Sequence, residues 1–505
     1  KMRQGARGEW LFHLPYTSED HEGAFIFTFY LLLGRLSALV GLPLIWTYHL
    51  ARVASGLFLL VVAYYFAALF LENIKERRFA LLLIGLSSGV GWVLLLAPLD
   101  ILTPDLWMPE AITFFSIFAN PHFPLAVALM LLTFAWVVRA GNGTSSQRRW
   151  RWKDLIPACL ASLLLGIVQP FCVLTVYVVL AMHIGLGLIV AFAERRASGD
   201  KGITPDGTRL PWPEIIKATV AGAVTVPLIF YDYYVYTFNP ALHAWSVQNL
   251  TPSPPPWHYA LGYGLVLVLA LGGMVWACGN RAFTLQRDGA RFLLIWVVVN
   301  ALLLYAPFSL QRRLVTGLHI PLSILATVGL FRYILPLLSL RRQRLLTWTL
   351  IILTLPTNLF LLVASTGGVA KHERPLYIYS EEKEALDWLR ENTDMEDVVL
   401  ASPGMDPFPG TSLLIPAWAG NRVLYGHPFE TIEADQKRAQ AEAFFQSETA
   451  DPLREKILKD HRIDYVFYGP EEREWGADLS RLPSLTEVYR NERGIIYRTL
   501  LFKEN

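Results

Sequence analysis

Residues 122–153, HFPLAVALMLLTFAWVVRAGNGTSSQRRWRWK, join an apolar run to a cluster of basic residues. The apolar part, 122–138, is long enough to cross the hydrocarbon core of a bilayer as a helix. Similar apolar runs recur from residue 47 to residue 364. They predict an α-helical polytopic membrane protein with about ten spans, near 47–72, 80–98, 122–138, 154–168, 171–193, 214–230, 258–278, 290–306, 314–332 and 346–364.

The basic residues between these runs fall in every second gap. By the positive-inside rule such gaps are cytoplasmic, and the acidic or aromatic gaps between them face the other side. This parity places residues 1–46 and the tail from about 370 outside, and it leaves Arg312 and Arg313 as exceptions in an outer gap. The basic gaps are 73–79, 139–153, 194–213, 281–291 and 341–344.

The composition agrees with a membrane protein. The chain of 505 residues is 53% hydrophobic and 17% charged, whereas soluble domains contain about 25% charged residues. The net charge of +2 does not indicate a nucleic-acid partner. The chain starts at Lys1 and not at Met, so we expect a longer protein with at least one further span upstream.

The first apolar run, 25–42, is interpreted differently from the others. Counting it as a span would reverse the side of the membrane predicted for every later gap. The arginine clusters would then lie outside. We therefore predict a helix that lies in the membrane interface and ends at Gly41.

The polar tail after residue 370 reads as a small soluble α/β domain. Ser380 is a plausible N-cap of a helix, residues 398–401 and 465–468 resemble buried strands, and 489–500 suggests a closing hairpin. The alternation of strands and helices predicts a mainly parallel sheet. The tail has no GxGxxG, P-loop or GxSxG motif, which favours a binding or covering role over chemistry of its own.

These patterns predict three parts. Residues 1–46 form an outer loop with the interfacial helix, 47–369 a transmembrane helical domain, and 370–505 an extracytoplasmic α/β domain. The predicted location is the plasma (inner) membrane of the cell envelope.

The first candidate site is the outer loop 10–22, where Glu19, Asp20 and His21 lie close together in sequence. Carboxylates are the ligands that hard divalent cations prefer, and a carboxylate or imidazole can accept a proton from an attacking hydroxyl. The alternative is a solvated polar loop.

The second candidate site is Arg312 and Arg313, with His319 one to two turns deeper in the next span. Arginine holds phosphate through paired N–H donors, so an outer pair suits a lipid phosphate. The alternative is snorkelling of both side chains to headgroups. A histidine inside the membrane suggests a functional residue, although it also suits a bond to a carbonyl.

Two further outer positions suggest substrate contact. His122 follows Asn120-Pro121 at the mouth of a span, where it either caps a helix or anchors in the interface, or else lines a cavity. The loop 231–257 contains Tyr231 and Trp245 among other aromatic side chains, which either stack on sugars or form an interfacial belt.

Taken together, these residues resemble a glycosyltransferase of the GT-C superfamily, of the bacterial aminoarabinose-transferase and protein O-mannosyltransferase type. The resemblance is carried by Gly8-Glu9-Trp10, Pro15-Tyr16, Glu19-Asp20-His21, the aromatic run through Phe29-Tyr30, and Tyr48-His49 with Arg52 at the start of a span. Gln311-Arg312-Arg313 with Gly317-x-His319-x-Pro321 adds to it. The family places its catalytic Asp at a position that would precede Lys1 here.

The resemblance implies a transferase that moves a sugar from a polyprenyl-phosphate donor to an extracytoplasmic glycan, lipid or protein. Within it, Glu19 and Asp20 would be catalytic and could hold a divalent cation such as Mg or Mn. Arg312, Arg313, His21 and His319 would contact the donor phosphate. His122, Asp105, Tyr231 and Trp245 would line the substrate site.

Two other functions stay open at this point. A transporter would show inverted repeats and broken spans with charges at the midplane, and the sequence has no obvious internal repeat. The other is a catalytically inactive relative that acts as a scaffold or sensor.

Overall fold

The structure is a computed structural model, and it describes residues 1–97, 101–138, 152–197, 211–279, 287–373, 376–405 and 409–502. Most of the arginines in the predicted basic gaps 139–153 and 194–213 lie outside these ranges, as does Asp100. The chain divides into two compact units. The membrane unit comprises Ile45–Tyr231 and Thr251–Leu362, and the α/β unit comprises Lys1–Leu44, Asp232–Leu250 and Val363–Asn505.

Long apolar helices dominate the chain from residue 44 to residue 370. They form because apolar residues are almost continuous, and a helix satisfies every backbone polar group within one segment. In chain order the helices are Leu44–Ala67, Ile74–Leu86, Gly91–Leu96, Pro104–Trp107, Thr113–Ala119, His122–Val138, Trp152–Asp154, Leu155–Val168, Phe171–Ala197, Trp212–Ala223, Val226–Phe238, Pro240–Gln248, Pro256–Gly279, Arg287–Leu303, Gln311–Val315, His319–Val328, Gly329–Ile334, Leu335–Leu337, Leu340–Leu353 and Pro356–Ala370.

The described residues contain six helical segments that are long and apolar enough to cross a membrane. Shorter apolar helices occupy several other predicted spans, so the predicted count of about ten spans is not confirmed. The segment Gln311–Leu337 is 94% buried over its most apolar window, whereas the other five are between 22% and 44% buried. This segment is therefore the central helix of the membrane unit.

Several helices in the membrane unit are interrupted. The helix Ile74–Leu86 stops at Ser87, whose backbone is extended, and a new helix starts at Gly91. The helix Pro256–Gly279 contains a kink at Gly264, whose positive φ of 48° is a conformation that glycine adopts without strain. Gly264 lies 3.2 Å from the backbone of Gly89, measured from the position a Cβ would take, so the two breaks pack together.

The predicted interfacial helix is present in the α/β unit as Thr28–Val40, and Gly41 ends it with a φ of 68°. Gly34 packs so closely on the helix Met2–Ala6 that a Cβ would lie 1.9 Å from the Met2 carbonyl oxygen. The opposite side exposes Leu32, Leu36 and Leu39. The amphipathic pattern of 25–42 therefore gives a helix with one apolar exposed side, and its place in the interface stays a prediction.

The C-terminal part of the α/β unit is built on a five-stranded sheet. The strands are β1 Val398–Leu400, β2 Arg422–Val423, β3 Tyr465–Tyr468, β4 Leu485–Arg490 and β5 Ile495–Thr499, in the order β2-β1-β3-β5-β4. β1 pairs in parallel with β2 and β3, and β5 pairs antiparallel with β3 and β4. The helices are Ser380–Asn392, Thr411–Trp418, Ala434–Phe445, Asp451–Asp460, Pro470–Glu474 and Leu479–Arg481.

The sheet corrects two sequence predictions. It is mixed and not mainly parallel, because the closing hairpin adds two antiparallel strands and the two-residue strand β2 carried no pattern in the sequence. The N-cap is Tyr379 and not Ser380; the Tyr379 backbone N–H faces the Glu382 carboxylate at 3.4 Å.

Candidate functional site

The central helix begins in a 3-10 turn, Gln311–Val315, that is held on both sides by hydrogen bonds. The Arg312 N–H donates to the Thr251 carbonyl oxygen at 3.0 Å. The Gln311 amide donates to the Ala306 carbonyl oxygen at 2.8 Å and accepts from the Ser253 N–H at 3.2 Å. The proline-rich loop after Thr251 thus fixes the backbone that presents Arg312 and Arg313.

Both arginine side chains lie against aromatic rings of the membrane unit. The Arg312 guanidinium carbon is 4.9 Å from the centre of the Trp107 ring, and that of Arg313 is 5.8 Å from the Phe171 ring. The Nε atoms of both side chains are buried and have no hydrogen-bond partner in the described part of the chain. Neither guanidinium forms an ion pair there. A buried donor without an acceptor is costly, so the pair suits an anion with several acceptor oxygens.

Two residues near this pair were not among the predicted site residues. Trp107 supplies the ring under Arg312, and Glu110 lies three residues further along the chain, within electrostatic range of Arg312. The presence of a tryptophan and a glutamate in one outer gap was the available signal. The sequence did not say which outer gap would meet Arg312, because that depends on the packing of distant helices.

His319 lies in the core of the membrane unit and is fully engaged. Its Nδ1 accepts the Thr113 N–H at 3.3 Å, which assigns the ring proton to Nε2, and Nε2 lies 3.1 Å from the Ser87 hydroxyl. The ring also stacks on Tyr263, with centres 6.0 Å apart. His319 therefore ties the break at Ser87 to the central helix, and both its nitrogens are used within the protein. Its predicted contact with phosphate stays a prediction.

Asp105 has no exposed surface in this structure. Its carboxylate accepts the Gly91 N–H at 3.1 Å, the first N–H of the helix that follows the break. The carboxylate lies so near Gly91 that a Cβ there would be 2.8 Å from Asp105 Oδ1. In this conformation Asp105 holds the interrupted helix and presents no surface to a substrate.

The other two predicted lining residues of the membrane unit are half-buried. His122 is the first residue of its helix, with its ring 4.0 Å from the Phe123 ring. Tyr231 lies in the middle of the helix Val226–Phe238. Their lining roles stay predictions.

The predicted acidic site lies in the α/β unit, where each acid contacts a cation. Glu19 pairs with Lys437, which is 1% exposed, and also accepts a hydrogen bond from Thr17. Burial opposes the ionisation of Glu19, but the Lys437 ammonium and the two hydrogen bonds outweigh it and lower the pKa of this carboxyl. Asp20 pairs with Arg422 at 2.9 Å.

His21 holds the same loop together. Its Nδ1 donates to the Glu19 carbonyl oxygen at 2.8 Å, and its Nε2 accepts the Leu14 N–H at 2.7 Å. Burial lowers the pKa of the imidazole, which agrees with a neutral ring that bridges two backbone groups. Its contact with a lipid phosphate stays a prediction.

Lys437 and Arg422 each contact a carboxylate oxygen of Glu19 and Asp20, respectively, so a divalent cation there would compete with both side chains. The predicted metal-binding role of Glu19 and Asp20 stays a prediction. Within the described ranges, no group of three or more His, Cys, Asp or Glu side chains is placed to hold a metal.

Trp245 lies in the α/β unit and is 9% exposed. Its indole N–H donates to the Phe429 carbonyl oxygen at 2.5 Å, and its ring packs on Phe27 and Tyr236. This side chain therefore anchors the segment Asp232–Leu250 within its own unit. A role in lining the substrate stays a prediction.

The described chain has several apolar helices long enough to cross a membrane, and its fold is shared with solved structures of membrane glycosyltransferases. No family model and no curated protein sequence matches the chain. Among solved structures it is similar to ArnT from Cupriavidus metallidurans bound to undecaprenyl phosphate, with a TM-score of 0.51, 13% identity, and 98% of this chain and 91% of that chain covered.

Two other solved structures share the fold. The archaeal oligosaccharyltransferase AglB from Archaeoglobus fulgidus, in complex with an inhibitory peptide and a dolichol-phosphate, has a TM-score of 0.50 and 12% identity over 92% of this chain. The arabinofuranosyltransferase AftD from Mycobacteria has a TM-score of 0.52 and 13% identity over 93% of this chain. The chain spans 64% of the length of the oligosaccharyltransferase and 36% of that of AftD.

Proposed function

We propose that this protein is a membrane glycosyltransferase that moves a sugar from a polyprenyl-phosphate donor to an extracytoplasmic acceptor. One observation carries the proposal: two adjacent arginines at the start of the central helix have buried Nε atoms without partners and form no ion pair among the described residues. The dolichol-phosphate and undecaprenyl phosphate bound in two structures of the same fold are ligands of the matching chemistry.

Arg312 and Arg313 have two tasks in this proposal. Before reaction, their N–H groups bind the phosphate oxygens through charge-assisted hydrogen bonds. During transfer, the bond from the sugar to the phosphate breaks, and the charge that develops on the leaving phosphate is stabilised by both guanidinium groups. The lipid phosphate is itself a good leaving group, so this step needs no nucleotide site.

The proposed topology follows the distribution of charge. The basic gaps face the cytoplasm, and the Arg312–Arg313 pair and the α/β unit face the outside of the plasma membrane. An outer arginine pair breaks the positive-inside rule, which is expected where a bound lipid phosphate offsets the charge. The sugar and the class of acceptor, whether glycan, lipid or protein, are not assigned.

The test replaces both arginines in the full chain, reconstituted in lipid nanodiscs. Each charge-assisted pair contributes about 1.5–3 kcal/mol, so R312A/R313A should weaken the binding of undecaprenyl phosphate by roughly 100-fold or more. R312K/R313K keeps the charge but loses the paired N–H geometry, and we expect an intermediate loss.

The matched control is R341A/R342A, which removes two adjacent exposed arginines from another helix of the same chain. We expect the control to bind undecaprenyl phosphate like the wild type. Equal affinity for the wild type and for R312A/R313A would remove the arginine pair from the site and with it the main support for the proposal.

A catalytically inactive scaffold or sensor with the same lipid site is the second candidate. It is favoured by the ion pairs that hold Glu19 and Asp20, two of the acids of the first outer loop. It predicts binding of undecaprenyl phosphate without transfer from any undecaprenyl-phosphate sugar, and the two candidates therefore separate in one preparation.

A further inference from the structure

The side chains packed around Arg312 come from two other segments of the membrane unit. The Arg312 guanidinium carbon is 4.9 Å from the centre of the Trp107 ring. The sulfur of the next residue, Met108, contacts the Tyr259 hydroxyl at 3.9 Å, and this hydroxyl lies 3.3 Å from the Ser253 hydroxyl. The indole beside the arginine and the serine hydroxyl are therefore joined through Met108 and Tyr259.

Ser253 also connects back to the turn that carries the arginine. Its N–H donates to the Gln311 side chain at 3.2 Å. Two residues before Ser253, the Thr251 carbonyl oxygen accepts the Arg312 N–H at 3.0 Å. These contacts close a ring of residues, which we call the Arg312 ring: Arg312, Trp107, Met108, Tyr259, Ser253 and Gln311. The closed ring fixes the indole and the serine hydroxyl at set positions beside the guanidinium group.

Two members of the Arg312 ring can still contact a ligand. Trp107 and Ser253 are half-buried, which leaves part of each residue open, whereas Tyr259 is 6% exposed. The Gln311 amide is used at both ends, by the Ser253 N–H and by the Ala306 carbonyl oxygen. A serine hydroxyl can take part in three hydrogen bonds, and the Tyr259 hydroxyl accounts for one of them. The ring therefore offers an aromatic surface and a hydroxyl with spare capacity beside a cation.

We propose that Trp107 and Ser253 bind the sugar of the lipid donor and set which sugar is accepted. This inference rests on the proposed function. The anomeric carbon of the donor is bonded to an oxygen of its phosphate, so a phosphate held by Arg312 brings the sugar within reach of the side chains around that arginine. The C–H face of the sugar packs on the indole, and one sugar hydroxyl forms a hydrogen bond with the Ser253 hydroxyl.

The two side chains have different tasks in this arrangement. Ligand sites combine aromatic surface with a few placed polar groups that fix the orientation of the ligand. The indole of Trp107 supplies contact area, which suits the apolar face of a neutral hexose or pentose. The Ser253 hydroxyl supplies selectivity, because a site built to bond a substrate hydroxyl rejects an analogue that lacks it.

The experiment compares the binding of two kinds of lipid to the full chain in nanodiscs. One is bare undecaprenyl phosphate, and the other is undecaprenyl phosphate that carries glucose, mannose or arabinose. For the glycosylated lipid that the wild type binds most tightly, W107L and S253A should each lose about tenfold or more in affinity beyond any loss for the bare lipid. W107F keeps an aromatic surface and should lose less. S253A and W107F change the packing little, so they carry the test if W107L fails to fold.

Two matched controls come from the same unit. W348L and S309A each remove an exposed side chain of the same type outside the Arg312 ring, and both should bind every lipid like the wild type. R312A/R313A should weaken the binding of bare and glycosylated lipids alike, because it removes the contact with the phosphate itself.

Three outcomes would contradict the reasoning at different points. Equal losses for bare and glycosylated lipids in W107L and S253A overturn the sugar site, because both residues would then only hold Arg312. Wild-type affinity of both variants for every glycosylated lipid also overturns it and leaves the phosphate site intact. Failure of the wild type to bind undecaprenyl phosphate, bare or glycosylated, overturns the proposed function itself.

Discussion

The ion pair between Glu19 and Lys437 leads to an asymmetric prediction. Lys437 is 1% exposed, whereas the Glu19 side chain is 39% exposed. E19Q leaves a buried ammonium without a counter-charge, which costs about 3–5 kcal/mol. K437M leaves a carboxylate that water can reach, and the methionine fills the space of the lysine stem, so we expect a cost of about 1 kcal/mol. E19Q should therefore be the more damaging change, although Glu19 is the more exposed partner.

Hydrogen–deuterium exchange of the full chain in nanodiscs measures this difference locally. The informative peptide covers the helix Ala434–Phe445, which contains Lys437. A cost of 1.4 kcal/mol corresponds to a tenfold change in an equilibrium, so E19Q should speed exchange of this helix about 100-fold or more and K437M about fivefold. The double variant E19Q/K437M should exchange more slowly than E19Q.

K437M exchanging as fast as E19Q would refute the reasoning, because burial would then not decide the cost. Wild-type exchange in both variants would show that the pair does not hold the loop to this helix. Only the second result would return Glu19 to the position of a free carboxylate, which its predicted catalytic role requires.

Two further predictions concern other parts of the chain. Burial, followed by the charge of Glu471, raises the pKa of Glu472 from 4.5 to about 7, so the folded α/β unit disfavours the ionised form. The contribution of Glu472 to stability should be complete below about pH 4.5 and fall by about 3 kcal/mol as the pH rises from about 4.5 to 7. Exchange of β1 at pH 5 and pH 8, corrected for intrinsic rates and compared between the wild type and E472Q, checks this, because E472Q should lack this contribution. In the membrane unit, a Cβ at Gly273 would lie 2.0 Å from the Leu325 carbonyl oxygen, so G273A should cost about 2 kcal/mol or more. Thermal unfolding of the full chain should show that loss, while G185A, where a Cβ meets nothing within 4 Å, should unfold like the wild type.

The sequence was most informative where one local pattern is sufficient. The apolar run 25–42 predicted the helix Thr28–Val40, because helical periodicity is a local property of the sequence. Gly41 predicted where this helix ends. The strands at 398 and 465 were visible as short apolar runs between polar turns. Strand β2 was not, because two residues carry no period, and its pairing with β1 depends on residues far along the chain.

The residues of the candidate site also fall into those that the sequence could predict and those that it could not. Arg312 and Arg313 were identifiable because they break a charge rule that applies to every gap. Glu110 was not, because its relation to Arg312 exists only after Pro256–Gly279, Phe171–Ala197 and the central helix have packed around it. For the same reason the sequence could not show that Lys437 would meet Glu19, a partner more than 400 residues away.

The sequence by itself determined that the chain has many apolar segments typical of a multi-pass membrane protein and that a polar α/β tail follows them. It also determined that Arg312 and Arg313 lie in a gap where the positive-inside rule does not predict arginines. These properties follow from transfer free energies and from charge, which add up residue by residue. Only the tertiary structure decided which acids are neutralised by buried cations. It also decided which acid lies within electrostatic range of Arg312 without an ion pair among the described residues. Electrostatic pairing depends on the distance between side chains in space. The positions of Glu19, Asp105 and Glu110 in the sequence do not give that distance.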